Sequence, residues 1–466
     1  MQNLVVISLF LFTGFVSSFS AAYDFSEEQK RNVKLLMNAS LHDDTGYRIV
    51  ESLTTEVGPR LAGSEAEKRA RDWAVRQFES LKFENVRVDT FSVPRWERGI
   101  ETAEVTSPFP QKLSVTALGG SVATPADGVE GELHIFPNLG ALKSMKNNAM
   151  AGKIVFVDES MARTQDGSGY AVAVAKRGQA AFEAHRVGAV AALIRSVGTS
   201  SHRFPHTGQM KSITDKNPGA SVPAAALSAP DADQLARISH MSEHVRIKLI
   251  LTPEVLPAST SGNVIAEIPG SKKDEEIVLI GAHLDSWDLG TGAVDDGAGV
   301  GIVMAAAHLI NTTLQQRPRR TVRVVLFGAE EVGLVGAKSY TDTYQDQLDL
   351  HIVAAESDFG AGVIWRLGSA NVAEEKHDVF TAVTEMLSPL KIIPGDNTSS
   401  GGPDMKYLKE AGVPIADLRQ DGRDYFDLHH TADDTFDKVD PVKLRQNIAA
   451  YAAFVYLVAD MEERFR

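Results

Sequence analysis

Gly281-Ala-His-Leu-Asp-Ser-Trp-Asp-Leu-Gly-Thr-Gly-Ala-Val-Asp-Asp-Gly-Ala-Gly299 follows directly on the apolar run Ile277-Val-Leu-Ile280. That run reads as a buried strand over 277–282, so His283 is delivered at the strand's end and Asp295 in the glycine-rich loop beyond it. A histidine and an aspartate placed in this way make half of a metal-binding pattern.

Working outward, the chain continues with a helix over about 297–310, a strand over 321–328, a helix over about 333–346, a strand over 352–357 and a final helix from Pro441. This alternation predicts an α/β fold with a mainly parallel, mixed sheet flanked by helices, its functional loops at the carboxyl ends of the strands. Upstream, Ser64-Glu-Ala-Glu67 fits a capping box, and Ala66, Ala70, Trp73, Phe78 and Leu81 then share one helical face. Val86-Arg-Val-Asp-Thr-Phe-Ser-Val93 alternates like a strand. From residue 121 the texture changes to short Val/Ile/Ala strands separated by glycines. The expected organisation is a first part of the main domain over 43–120, an inserted β-rich module over 121–257 and a second part over 258–466. Residues 21–42, polar and loosely patterned, read as a propeptide or an N-terminal arm.

The first twenty residues carry no charged side chain, and small residues follow the apolar stretch Leu4 to Val16, so a secretory signal is expected over 1–20. The alternative, a membrane anchor, needs about 20 apolar residues, more than this stretch supplies. No membrane span is expected once the signal is removed. With 466 residues, 43% of them hydrophobic, the chain can bury a large core in two or three domains. Its 47 Lys+Arg against 61 Asp+Glu, with no basic stripe, exclude nucleic acid as a partner. The absence of cysteine removes disulfides, thiolate ligands and cysteine nucleophiles together. Any metal must be held by His, Asp and Glu. There is no His-Glu-x-x-His helix and no Gly-x-Ser-x-Gly elbow.

Five such candidates stand at strand ends or in polar loops: His283, Asp295, Glu331, Asp358 and His430. Singly, each reads as well as a cap or turn residue. The pair Glu330-Glu331 is harder to dismiss, because adjacent carboxylates closing so apolar a strand repel one another unless a cation intervenes. Imidazole and carboxylate donors without thiolates suit catalytic zinc, and a bridging carboxylate can hold two ions roughly 3.5–4 Å apart. Successive side chains at a strand end point in opposite directions, so Glu331 can ligate while Glu330 faces the water as base. Asp285 is placed to hold the second ring nitrogen of His283.

The joint pattern resembles the co-catalytic zinc peptidases of the aminopeptidase and glutamate carboxypeptidase type. It reads His283-Leu-Asp285-Ser286, Gly292-Ala-Val-Asp295, Glu330-Glu331, Asp358 and His430-Thr-Ala-Asp-Asp-Thr435. The words Val57-Gly-Pro-Arg-Leu61, Trp96-Glu-Arg-Gly99, Pro205-His-Thr-Gly208, Ser286-Trp-Asp288, Glu356-Ser-Asp358 and Ala459-Asp-Met-Glu-Glu463 extend the resemblance over nearly the whole mature chain. The resemblance implies two Zn²⁺ per chain, with Asp295 bridging, His283 and Asp358 completing one site and Glu331 and His430 the other. It makes Glu330 the general base and acid, and 121–257 a protease-associated domain. Either His429 or His430 could reach the metal, and the spacing to Asp434-Thr435 favours His430. His429 and Asp404, the latter in the loop Asn397-Thr-Ser-Ser-Gly-Gly-Pro-Asp404, are expected to contact substrate, Asp404 by taking a free amine. In the insert, His185, His202 and His206 read as structural or substrate-facing.

The implied activity is that of a secreted di-zinc exopeptidase on small peptides, dipeptides first among them. Carboxypeptidase, aminopeptidase on longer peptides and dipeptidase all share such a metal core, and the sequence does not choose between them. A receptor-like protein with an inactive peptidase fold would be expected to have lost ligands. Glutaminyl cyclase chemistry uses one zinc and would not need His283 and Asp358. Whether the chain forms a homodimer, as its look-alikes do, is left open.

Overall fold

The computed structural model describes residues 23–211 and 221–466; the signal expected over 1–20 lies outside the described residues. The apolar run becomes the strand Lys273–His283, buried from Glu276 onward. It lies inside an eight-stranded mixed sheet, with Arg320–Phe327 parallel on one side and His351–Glu356 parallel on the other. Ile415–Gln420 extends the parallel centre. The antiparallel pair Glu84–Glu97 and Glu254–Ile268 forms one edge, and Ile364–Ala370 with Ile393–Pro394 the other. Every residue of Arg320–Phe327 is buried, as a strand covered on both faces requires.

Helices Glu27–Ser40, Thr45–Glu56, Ala298–Thr313 and Pro441–Asp460 pack together over one face, while Val335–Thr343 and Lys406–Glu410 cover the other. Ala298–Thr313 is the middle of its layer, which is why it is apolar all round; the stretch from Ala293 is long and apolar enough to cross a membrane, yet 94% of it is buried inside the protein. Its Gly301 lets Thr45–Glu56 approach closely, for a Cβ there would stand 2.7 Å from the Gly46 carbonyl. From the segment 21–42, the helix Glu27–Ser40 packs into this layer. Ser26 and Gln29 form a capping box, and Val33, Leu36 and Met37 are buried.

A second eight-stranded sheet runs Gln111–Leu113, Glu101–Ser107, Arg246–Leu251, Val129–Phe136, Ile154–Val157, Ala191–Arg195, Ala224–Leu227, Val115–Ala117. Its four central strands, from Val129–Phe136 to Ala224–Leu227, are parallel, and Ser168–Arg186 and Ala229–Met241 pack against it. This corrects the boundaries of 121 and 257. Glu101–Ala117 lies in the second sheet, and Glu254–Ile268 already belongs to the first. The reason is one long antiparallel ribbon: Glu97 pairs with Glu254 in the first sheet and Glu101 with Leu251 in the second, so the chain changes sheets without a change in local texture.

The capping box at Ser64 forms by half. Ser64 Oγ accepts the Glu67 N–H at 3.1 Å, but the Glu67 carboxylate turns inward to Ser261 and Arg71 instead of back to the cap.

Candidate metal centre

The parallel strands all point their carboxyl ends the same way, and that end collects the site. His283 closes Lys273–His283, Glu330 and Glu331 follow Arg320–Phe327, and Asp358 follows His351–Glu356. His429 and His430 come from the loop after the short helix Tyr425–Leu428. Two donor sets form. Asp295 Oδ1 lies 3.1 Å from His283 Nε2, which is 3.6 Å from Asp358 Oδ1. Asp295 Oδ2 lies 3.3 Å from His430 Nε2, which is 3.0 Å from Glu331 Oε2. Each oxygen of Asp295 thus serves one set. His429 Nε2 is 3.7 Å from Asp295 Oδ2, and its ring stacks on that of His430 with centroids 3.5 Å apart.

Ring tautomers follow from the backbone, because a carbonyl can only accept. His283 Nδ1 lies 2.9 Å from the Asp285 carbonyl and His430 Nδ1 lies 3.2 Å from the Thr207 carbonyl, so both carry hydrogen there and turn their Nε2 atoms toward the centre. The first contact corrects the role expected of the Asp285 side chain. Its carbonyl holds the ring, while its carboxylate, 3.9 Å away at Oδ1, accepts the backbone N–H groups of Glu330 at 3.1 Å and Glu331 at 3.3 Å.

Three supporting residues escaped the sequence reading. Asp434 accepts the N–H groups of Val294 at 2.6 Å and Asp295 at 3.1 Å, fixing the shared carboxylate. Arg60, fully buried, donates to the carbonyls of Leu284, Thr291 and Gly292, at both ends of the loop between His283 and Asp295. Asp296 caps the Gly299 N–H and also accepts the His283 N–H, each at 3.1 Å. The word Val57-Gly-Pro-Arg-Leu61 was the signal available for Arg60.

The second module reaches into the same loop. His206 Nδ1–H donates to the His429 carbonyl at 2.7 Å, and the Thr207 N–H donates to the His430 carbonyl at 3.1 Å. Burial, outweighing the backbone bond, lowers His206 to about 4, so its ring is neutral. Trp287 packs against His430, and Asp288 pairs with Arg98 at the ribbon's crossing, which accounts for the words Ser286-Trp-Asp288 and Trp96-Glu-Arg-Gly99.

Negative charge is in excess. Burial pushes the carboxyls of Glu330, Glu356, Asp296 and Asp404 well above the usual range, and neighbouring carboxylates add to it. Asp295 alone goes the other way: burial opposes ionisation, but His283, His430 and His429 hold it well below the usual range. Burial opposes the charged form of His430 too, yet Glu331 and Asp295 raise it to about 9. Asp295 Oδ2 and Glu331 Oε1 are buried with no hydrogen-bond donor. Acceptors left open between converging imidazoles are what a divalent cation would satisfy, so the donor set fits metal.

The centre opens into a cavity of about 930 Å³, lined by Asp295, Glu330, Glu331, Asp358, His429 and His430 from the first sheet's loops and by Tyr170, Arg177 and Gln209 from the second module. Asp404 does not reach it. Gly402 and Pro403 line the cavity, whereas Asp404 is 1% exposed and its N–H donates to Glu356. The expected contact of Asp404 with a free amine is therefore not formed by this arrangement.

Residues 263–455 match the profile of Peptidase family M28. The chain is 34% identical over 433 residues to carboxypeptidase Q of Mus musculus, covering 92% of this chain and 89% of that protein. Against carboxypeptidase Q of Homo sapiens it is 35% identical over 435 residues, with the same coverage of 92% and 89%. A Peptidase M28 precursor from Shewanella amazonensis superposes with a TM-score of 0.92 at 47% identity, over 94% of this chain and 98% of that one. BSAP, a zinc aminopeptidase from Bacillus subtilis, shares the fold with a TM-score of 0.65 at 22% identity, over 90% and 95%.

Proposed function

The chain belongs to peptidase family M28 and is a metallopeptidase, and from that premise we propose that it is an exported di-zinc exopeptidase that cleaves small peptides with free termini, dipeptides foremost. The observation that carries the reading is the shared carboxylate, with Asp295 Oδ1 facing His283 and Oδ2 facing His430. In this reading His283, Asp295 and Asp358 would hold one zinc and Asp295, Glu331 and His430 the other. Bound zinc supplies Lewis acidity, polarising the peptide carbonyl and lowering the pKa of water.

The chain's own groups do the rest. Glu330, mostly buried at the cavity wall beside Glu331, takes the proton of the attacking water and returns it to the departing amine. Burial first, and Glu331 among its neighbours, push its carboxyl up, the direction that favours holding a proton between the two transfers. The second module walls the cavity, limiting the space on either side of the scissile bond. The signal over 1–20 would send the protein to the periplasm or outside the cell, and small peptides are the only partners the site calls for.

Glu330→Gln tests the reading. Zinc content, expected at two equivalents, and melting temperature should stay as in the wild type, while dipeptide turnover falls by roughly 10²–10⁴-fold, the usual share of base catalysis. Undiminished turnover in the variant would remove Glu330 as the base. A wild-type protein that binds no zinc, or that hydrolyses dipeptides in the presence of a strong chelator, would instead favour the receptor-like reading or a different chemistry.

A further inference from the structure

Two arginines are wholly buried among the described residues, Arg60 and Arg320. Arg320 pairs with Glu276 at 2.6 Å. Arg60 forms no ion pair among the described residues, and every hydrogen bond of its guanidinium goes to a main-chain carbonyl. Taking a guanidinium out of water without a counter-ion is costly. Burial pulls its pKa down, and the carboxylates of Asp434, Asp285, Asp296 and Asp295 oppose that pull. Its counter-charges are thus the acids of the metal centre, held at a distance.

The carbonyls it holds bracket the loop between two metal-binding side chains. Nε donates to Leu284, the residue after His283, at 2.5 Å. Nη1 donates to Thr291 at 2.7 Å and Nη2 to Gly292 at 2.9 Å, close ahead of Asp295. The main chain adds two bonds: the Arg60 N–H donates to Ser286 Oγ at 3.2 Å, and the Ser286 N–H to the Arg60 carbonyl at 3.3 Å. Gly292 has a φ of +57°, and a Cβ there would stand 2.9 Å from Nη1 and 2.4 Å from the Ser286 Cβ. Loop and guanidinium meet this closely only with glycine at that position. Arg60 itself does not line the cavity.

We propose that Arg60 is a positioning residue for the metal pair, fixing His283 and the shared carboxylate of Asp295 relative to each other before any ion binds. The assignment rests on the two-zinc reading and deepens it. A guanidinium is a rigid planar fork, so the carbonyls at the two ends of the loop are held at one spacing. His283 belongs to one donor set and Asp295 to both, which makes that spacing a property of the whole centre. Carbonyls leave the charge of Arg60 unneutralised, so it also offsets part of the mutual repulsion among Asp285, Asp295, Asp296 and Asp434. A residue that merely stitched the loop to the body of the protein would govern melting and leave metal affinity alone.

The test titrates zinc against a chelator into the wild type, Arg60→Met and Arg60→Lys, and records the melting temperature of each chelated protein and the dipeptide kinetics at saturating zinc. Arg60→Met keeps the length of the side chain and removes fork and charge. It should weaken both zinc equivalents together, roughly 10–100-fold, with kcat lowered and KM unchanged. Arg60→Lys keeps the charge but grips a single point, so it should recover part of the zinc affinity while staying below the wild type. It serves alone if the Met variant does not fold. Variants that bind both zincs as tightly as the wild type overturn the assignment, whatever their melting temperatures, and leave the two-zinc reading standing. Weakening confined to one equivalent also overturns it, since a displaced bridge must affect both. A wild type that binds fewer than two zincs overturns the two-zinc reading, and the assignment with it.

Discussion

Asp285 bears on two sides of the centre at once, through its carbonyl on His283 Nδ1 and through its carboxylate on the N–H groups of Glu330 and Glu331. Asp285→Asn leaves the carbonyl in place and turns one acceptor oxygen into a donor facing a donor. The metal-binding ring of His283 therefore keeps its tautomer, whereas the turn carrying the base shifts. Zinc content should be retained and kcat should drop roughly 10–100-fold, the usual cost of disturbing a group behind a ligand. Steady-state kinetics with metal analysis separates the two; loss of zinc without loss of kcat per bound metal would contradict this division of labour. Sequence spacing brought His283 and Asp285 together correctly, yet could not tell a carbonyl contact from a carboxylate one, since both lie on the same residue. Asp404 failed for a different reason. A loop of Ser, Gly and Pro signals a turn, but which of its side chains faces the cavity depends on Glu356, 48 residues away.

The strand ends were legible because an apolar run ending in His, Glu-Glu or Glu-Ser-Asp states where the strand stops and what it delivers. Less legible was Glu27–Ser40, whose buried face is the narrow stripe Val33, Leu36 and Met37 in an otherwise polar segment. Least legible were contacts between the two sheets, for the turn Pro205-His-Thr-Gly208 names no partner in its own sequence. That turn holds the loop of His429 and His430 by three hydrogen bonds: His206 Nδ1 to the His429 carbonyl, Thr207 N to the His430 carbonyl, and His430 Nδ1 to the Thr207 carbonyl. The second module thereby fixes the orientation of one metal-binding ring. His206→Phe removes the donor while keeping a ring, and should weaken zinc binding about 10–100-fold in a chelator competition. His206→Asn, which can place an amide N–H where Nδ1 stood, should recover most of it. If Phe and Asn variants bind zinc equally, the turn is packing and nothing more.

At the scale of the whole molecule, metal and stability are linked through the excess of buried carboxylates. Burial, with Asp295 next, pushes Asp434 from 3.8 up to about 7, and burial with Glu331 pushes Asp285 up to about 6 despite His283 beside it. Glu330, Glu356, Asp296 and Asp404 are displaced in the same direction. A carboxyl whose folded pKa exceeds its unfolded one binds its proton more tightly when folded. It adds stability below the unfolded pKa near 4, and loses it as pH rises through the folded value. For Asp434 alone this is up to about 4 kcal/mol between pH 4 and pH 7. His430, raised to about 9 by Glu331 and Asp295 against the effect of burial, acts in the same sense: its contribution is present below about 6.5 and fades toward pH 9. Without cations the protein should therefore grow less stable from pH 5.5 to pH 8, with a melting temperature falling by roughly 5 °C or more. Zinc neutralises the same groups and binds only the folded state, so the loaded protein should hold its melting temperature over that interval. The gap between loaded and chelated protein then widens with pH, which differential scanning calorimetry at four or five pH values would read directly. A chelated protein whose melting temperature stays level or climbs toward pH 8 would mean that the carboxylates around Asp295 are neutralised by the protein itself and have no need of metal.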